Sequence, residues 1–166
     1  MKNQTFIFSV DEAVEQYGDM VYRIAMTYAK NEADAWDIFQ ETFLRLVKYR
    51  ETIESAEHLK AWLIRVTTNN AKSFVTSSWQ KNTEGFDENG PEPSAEEKKE
   101  ADSDVLDALH SLPEKYRIVL YLFYYEELDI KHIGRILGKK ENTVKSLLSR
   151  GREMLKKQLI KKGYHL

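Results

Sequence analysis

Apolar residues recur at helical spacing in several blocks of this chain, each block closed by polar or turn-forming residues. Val10, Ala13, Val14, Tyr17, Val21, Ile24, Ala25 and Tyr28 predict a first helix. Ser9-Val10-Asp11-Glu12 has the form of a capping box at its start, and Gly18 weakens its middle slightly. Asn31 is placed to cap a second helix, with Glu32 and Asp34 favourable to the dipole in its first turn. That helix is predicted to run to about Tyr49 with Ala35, Ile38, Phe39, Thr42, Phe43 and Leu46 inward. A polar connection from Arg50 to His58 leads to a third helix from about Glu57 to Gln80. Leu59, Trp62, Leu63, Val66, Asn70 and Phe74 line one side of it, and Lys60, Arg65, Thr68, Asn69, Lys72 and Thr76 lie elsewhere on its surface. Trp79, near its polar end, could stack a base or cover the domain edge, and covering is the favoured reading.

The pattern resumes with Val105, Leu106, Leu109 and Leu112, which open a C-terminal unit. Pro113 suits a first helical turn, where its missing N–H loses no bond, and Ile118, Val119, Leu122 and Phe123 follow at helical spacing. Ile130, Ile133, Ile136 and Leu137 make the apolar face of a short helix that Gly138 can end in the left-handed conformation. Val144, Leu147, Leu148, Gly151 and Leu155 then fall on one side of a longer helix. Asn142, Lys145, Ser146, Ser149 and Arg152 fall on the other, with Arg150 at its edge. Two helices meeting at a tight turn, the second with small polar and basic side chains outward, suit a helix-turn-helix that reads a major groove. A face that is merely solvated would carry similar residues.

Between the two units the pattern breaks. Gly85, Gly90, Pro91, Pro93 and an acid-rich run cannot bury enough apolar surface to order themselves, which predicts a flexible linker. The expected fold is therefore all-α: residues 1–80 and 105–166 form two small helical domains, joined by a flexible acidic linker over 81–104. Charge sharpens this division. Residues 84–104 carry nine Asp/Glu against two Lys/Arg, while residues 131–166 carry two against eleven, so the overall charge of −2 hides an acidic middle and a basic end. A basic end suits a phosphate backbone.

Composition mainly excludes. No apolar run approaches the ~20 residues of a membrane span, and no basic-then-apolar leader opens the chain, so the expected location is cytoplasmic. With no cysteine there is no disulfide framework or thiolate nucleophile, and the four histidines show no metal-ligand pairing. Neither a phosphate-binding glycine loop nor a hydrolytic triad is evident. No metal, cofactor, small-molecule substrate or catalytic residue is expected.

On the second helix, Asp34, Asp37, Gln40, Glu41 and Arg45 share the outer face, with Asp37 and Glu41 as repelling neighbours four residues apart. Three readings are open from spacing alone: a solvated face, paired carboxylates for acid–base or metal chemistry, or a docking face for a basic partner.

The run Asp34-Ala35-Trp36-Asp37-Ile38-Phe39-Gln40-Glu41-Thr42-Phe43-Leu44 resembles the D-x-x-D-x-x-Q-E-x-F helix of bacterial RNA polymerase sigma factors. Leu59-Lys60-Ala61-Trp62-Leu63-Ile64-Arg65-Val66 resembles the tryptophan-bearing motif that follows it in their second conserved region. Leu112-Pro113-Glu114-Lys115-Tyr116-Arg117, Ile136-Leu137-Gly138 and residues 143–152 resemble the fourth region. Having only these two blocks is similar to the group IV, extracytoplasmic-function (ECF) subfamily.

The resemblance implies an initiation factor that binds core polymerase and directs it to promoters. Asp34, Asp37, Gln40, Glu41 and Arg45 would dock on the clamp helices of the largest subunit. The third helix and the loop before it, through His58, Lys60, Arg65, Asn69 and Lys72, would hold the melted −10 element. Asn142, Thr143, Lys145, Ser146, Ser149, Arg150 and Arg152 would read the −35 duplex. An anti-sigma protein, often membrane-tethered, is the expected inhibitor and would hold the chain at the inner face of the membrane. Several positions depart from the family pattern. Thr68 precedes Asn69 where relatives place Arg, Ser73 and Thr76-Ser77-Ser78 stand where they have Asp and a basic cluster, Leu147 stands where Arg is common, and Lys140 replaces a Ser cap. The competing readings are a free-standing helix-turn-helix regulator, which predicts dimerisation on a palindrome, and a metal-dependent enzyme built on Asp34, Asp37 and Glu41.

Overall fold

The computed structural model describes residues 6–82 and 101–165, and its contacts divide the chain into two compact units, Met1–Gly90 and Pro91–Leu166. All regular structure among the described residues is helical.

In the first unit, α1 (Val10–Tyr28), α2 (Glu32–Tyr49) and α3 (Ala56–Asn82) pack mutually, with a 3₁₀ turn over Arg50–Thr52. The capping box at Ser9 forms as the sequence predicts: Ser9 Oγ accepts from the Glu12 N–H at 3.1 Å, and Glu12 Oε2 accepts from the Ser9 N–H at 3.4 Å. Asn31 Oδ1 likewise accepts from the Asp34 N–H at 2.8 Å and starts α2. Val21, Ile24 and Ala25 of α1, Ile38 and Leu46 of α2, and Leu59, Leu63 and Ile64 of α3 are fully or almost fully buried.

Two buried features, Thr68 and Ile53, depart from the sequence reading. Thr68, expected on the surface, is buried, and its hydroxyl donates to the Ile64 carbonyl at 2.7 Å. Back-bonding into its own helix satisfies the hydroxyl, so a polar residue fits an apolar arc. Thr42 and Thr67 do the same with the Ile38 and Leu63 carbonyls. Asn70 Nδ2 then reaches Thr42 Oγ1 at 3.3 Å, a buried polar contact between α3 and α2. Finally, the connection after α2 is not wholly polar, because Ile53 is buried and anchors it.

Among its described residues the second unit holds four helices: α4 (Ala101–His110), α5 (Glu114–Tyr124), α6 (Ile130–Leu137) and α7 (Glu141–Lys161). α3 continues to Asn82 and α4 begins at Ala101; most of the expected linker over 81–104 lies outside the described residues. Val105 is exposed, while Ala108, Leu109 and Leu112 are buried. Pro113 is the residue before α5 rather than its first turn, at φ −56° and ψ 146°. α5 is the central helix, with Tyr116, Ile118, Val119, Leu120, Tyr121 and Leu122 buried. Burial almost all round marks a helix enclosed by its neighbours.

α6 begins at Asp129, whose Oδ1 accepts from the His132 N–H at 2.8 Å. It ends at Gly138, left-handed at φ +67° as the sequence predicts. Gly134 is required for a different reason. Its carbonyl accepts from the Lys139 N–H at 2.8 Å, and a Cβ there would lie 2.7 Å from the Lys139 carbonyl oxygen. The turn into α7 therefore folds directly over α6. α7 packs on α4, α5 and α6 through Val144, Leu147, Leu148 and Gly151. Lys140 precedes it without a side-chain cap, consistent with the missing Ser.

Candidate functional site

The candidate residues fall on three helical faces. On α2, Asp37, Gln40, Glu41 and Arg45 are exposed and Asp34 is half-buried. Partial burial raises the Asp34 carboxyl above its ordinary pKa, and the Asp37 charge adds to this against hydrogen bonding with Asn31 and the Lys30 charge. Repulsion is therefore felt between Asp34 and Asp37, three residues apart. Glu41 turns instead to Arg45, whose Nε donates to its Oε1 at 3.1 Å. With both side chains half-exposed, that pair contributes only about 0.2–0.5 kcal/mol.

Between these charges lie apolar side chains that charge-based reading passed over. Leu44 is 65% exposed and Val47 54% exposed on the same helix. Glu41, Leu44, Arg45, Lys48 and Tyr49 line a shallow groove of about 440 Å³. Exposed aliphatic residues set among charges suit a protein surface better than water alone. Trp36, 48% exposed, closes an aromatic chain through Tyr22 at 4.7 Å and Phe39 at 5.1 Å.

On α3, His58, Arg65, Asn69 and Lys72 follow one another at seven, four and three residues and share one side. Arg65, Asn69 and Lys72 are exposed. His58 is engaged in starting the helix. Ser55 Oγ accepts from the His58 N–H at 3.0 Å, and His58 Nδ1 accepts from the Glu54 N–H at 3.1 Å. That acceptor role needs a neutral ring with its proton on Nε2, which leaves Nε2 as the atom able to donate outward. Lys60 does not join this face. It is half-buried, and at about 100° per residue it lies on nearly the opposite side of the helix from Arg65. Trp79, whose side chain lies outside the described residues, adds nothing here.

On α7, Asn142, Thr143, Lys145, Ser146, Ser149, Arg150 and Arg152 are all exposed, while Leu147 is buried in the core. The departure at Leu147 is thus a packing residue. Arg152 differs from the others in being held. Its Nε donates to the Tyr124 hydroxyl at 2.5 Å, and its guanidinium lies 5.4 Å from the Phe123 ring centre and 5.6 Å from that of Tyr124. Nothing in the apolar periodicity of α5 marks Tyr124 for this role.

No group of three His, Cys, Asp or Glu residues able to hold a metal ion occurs among the described residues. Nor is any described helix long and apolar enough to cross a membrane.

Comparison with known proteins covers both units. A family model described as Sigma-70 region 2 matches residues 13–81, and one described as Sigma-70, region 4 matches residues 103–155. The RNA polymerase sigma factor SigV of Bacillus subtilis (strain 168) is 30% identical over 162 residues, 96% of this chain and 96% of its own length. The ECF RNA polymerase sigma factor SigW of the same organism is 30% identical over 163 residues, 89% of this chain and 87% of its own. Among solved structures, the sigma factor RpoE of Bartonella quintana, in complex with the anti-sigma factor NepR, superposes with a TM-score of 0.75. It is 21% identical, and the match covers 90% of this chain and 95% of that one, a likeness of fold.

Proposed function

Since the chain belongs to the ECF group of RNA polymerase sigma factors, directing core polymerase to promoters, we propose that its three candidate faces divide that task. The protein is not an enzyme; sigma factors act by binding. Membership also removes the readings of a free-standing regulator and of a metal-dependent enzyme.

In this reading residues 1–80 grip the polymerase and the −10 element, residues 105–166 read the −35 element, and residues 81–104 tether the two. α2 docks on the clamp helices of the largest subunit through Asp34, Asp37, Gln40, Glu41 and Arg45. The observation that carries this is the exposure of Leu44 and Val47 among those charges, because a solvated face has no use for them. Complementary charge would steer the encounter, and the two aliphatic side chains would supply the dry contact.

The side of α3 that bears Arg65, Asn69 and Lys72, with His58 at its start, faces the displaced strand of the −10 element. It offers one amide and two cations over about two turns, enough to hold phosphates and one unpaired base. Thr68, buried, cannot take the part of the arginine found in relatives, so Arg65 and Lys72 supply the positive charge. α6 and α7 act as a helix-turn-helix, and the exposed Asn142, Thr143, Lys145, Ser146, Ser149 and Arg150 enter the major groove. An anti-sigma protein covers one or both units, a reading supported by the likeness to RpoE, which was solved with its anti-sigma factor bound.

The docking assignment is tested by reversing charge. A double variant, Asp37→Lys with Glu41→Lys, should fold as the wild type does but fail to co-purify with core polymerase. Retention of that association would show that docking lies elsewhere on the chain.

A further inference from the structure

We propose that Tyr124, at the C-terminal end of α5, is a positioning residue that aims the Arg152 guanidinium at promoter phosphate. The proposal rests on the assignment of the α7 face to DNA and adds a residue that none of the family motifs quoted above contains.

Four observations carry it. Arg152 is exposed, yet its Nε donates to the Tyr124 hydroxyl at 2.5 Å across 28 residues of sequence. The Phe123 and Tyr124 rings meet edge to face at 79°, with centres 5.0 Å apart, and the guanidinium lies over both. Tyr124 itself remains 55% exposed, a large apolar ring that the core does not use. Lastly, α5 is fixed, because its preceding residues from Ile118 to Leu122 are buried. An exposed arginine ordinarily samples many rotamers, and each must be lost when it binds. Here a rigid aromatic corner has already made the choice.

The geometry also says which edge of the guanidinium is offered. Nε is committed to Tyr124, which leaves the two Nη nitrogens, the end-on fork that matches a phosphate. Arg152 lies about three turns into α7, beyond the first turns whose side chains reach base edges in a groove-bound helix. It shares a side with Lys145, seven residues earlier, and Lys156, four residues later, forming a basic stripe along the backbone-facing edge. A contact there positions the helix and carries no sequence information.

The test uses reconstituted holoenzyme and a promoter duplex selected by the wild-type protein from a randomised library. Tyr124→Phe keeps the ring over the guanidinium and removes only the hydroxyl. It should weaken promoter binding roughly three- to tenfold, about equally for all −35 sequences, with no loss of melting temperature. Arg152→Ala should weaken binding at least as much and lower the salt slope by about one. In the Arg152→Ala background, Tyr124→Phe should have no further effect, which a purely structural role for Tyr124 would not produce. If Arg152→Ala weakens binding but Tyr124→Phe does not, or if the two effects simply add, the positioning role is overturned. If Arg152→Ala binds as tightly as wild type with an unchanged salt slope, Arg152 makes no DNA contact and its assignment falls with the proposal.

Discussion

Gly18 and Gly134 show how differently one residue type behaves in two places. A Cβ at Gly18 would meet Phe39 at 3.6 Å and Val14 at 3.8 Å, ordinary contact distances inside a regular helix. Gly18→Ala should therefore stabilise the first unit by about 0.5–1 kcal/mol, through helix propensity and added contact. Gly134→Ala must push against backbone at 2.7 Å, so it should destabilise the second unit by about 1–3 kcal/mol and loosen the turn into α7. All three tryptophans (Trp36, Trp62 and Trp79) lie in the first unit, so tryptophan fluorescence on melting follows that unit alone.

Two aspartates give opposite pH responses. Hydrogen bonds from the His132 backbone and ring hold the Asp129 carboxyl below its ordinary pKa. A depressed folded-state value means that its contribution is full above the ordinary carboxylate pKa and fades as pH falls through the depressed one. Asp34 is raised by burial, so the penalty on its charged form is present above the raised value and is relieved as pH falls through it. Melting followed across the carboxylate range should show acid destabilisation of the second unit that is reduced in Asp129→Asn. In the first unit, Asp34→Asn should raise stability near neutrality and narrow its advantage over wild type as the pH drops. Neither sign could be taken from the sequence, because each depends on what surrounds the carboxyl. The cap at Asn31 was legible there; the capping role of Asp129 follows the same rule.

For whole helices, period and caps were enough to place most elements. α2 ends at Tyr49 as its pattern predicts, and every polar residue assigned to the outer face of α7 is exposed. Polarity misled where a side chain satisfies itself: Thr68 disappears into the core because its hydroxyl finds the Ile64 carbonyl. Leu44 and Val47 matter for the converse reason, being apolar yet exposed. Leu44→Asp should lower affinity for core polymerase by about tenfold or more without lowering melting temperature, since that side chain is mostly exposed. A pull-down titration with core enzyme reads this directly, and unchanged affinity would return α2 to a solvated face. On α7, Lys145→Ala or Arg150→Ala should weaken promoter binding. Loss of a phosphate contact should lower the salt slope by about one, and loss of a base contact should cost about 1–3 kcal/mol at the affected position.

For the molecule as a whole, the separation into two helical units was visible in the sequence as a break in apolar periodicity coinciding with a swing in charge from −7 over residues 84–104 to +9 over residues 131–166. α4 starts inside the acidic run: Ala101 and the residues after it extend the helix that Ala108 and Leu109 hold to the core. In the proposed division of labour, polymerase holds both units in register, and the second DNA contact gains from an effective concentration on the order of mM. Promoter selectivity on that reading belongs to the complex with polymerase rather than to either unit alone. Run-off transcription with core polymerase stripped of its own specificity subunit, supplied with this protein and a randomised promoter library, tests this most directly. The expected products start downstream of templates enriched for two short elements at fixed spacing; an absence of specific initiation from any template would contradict the account.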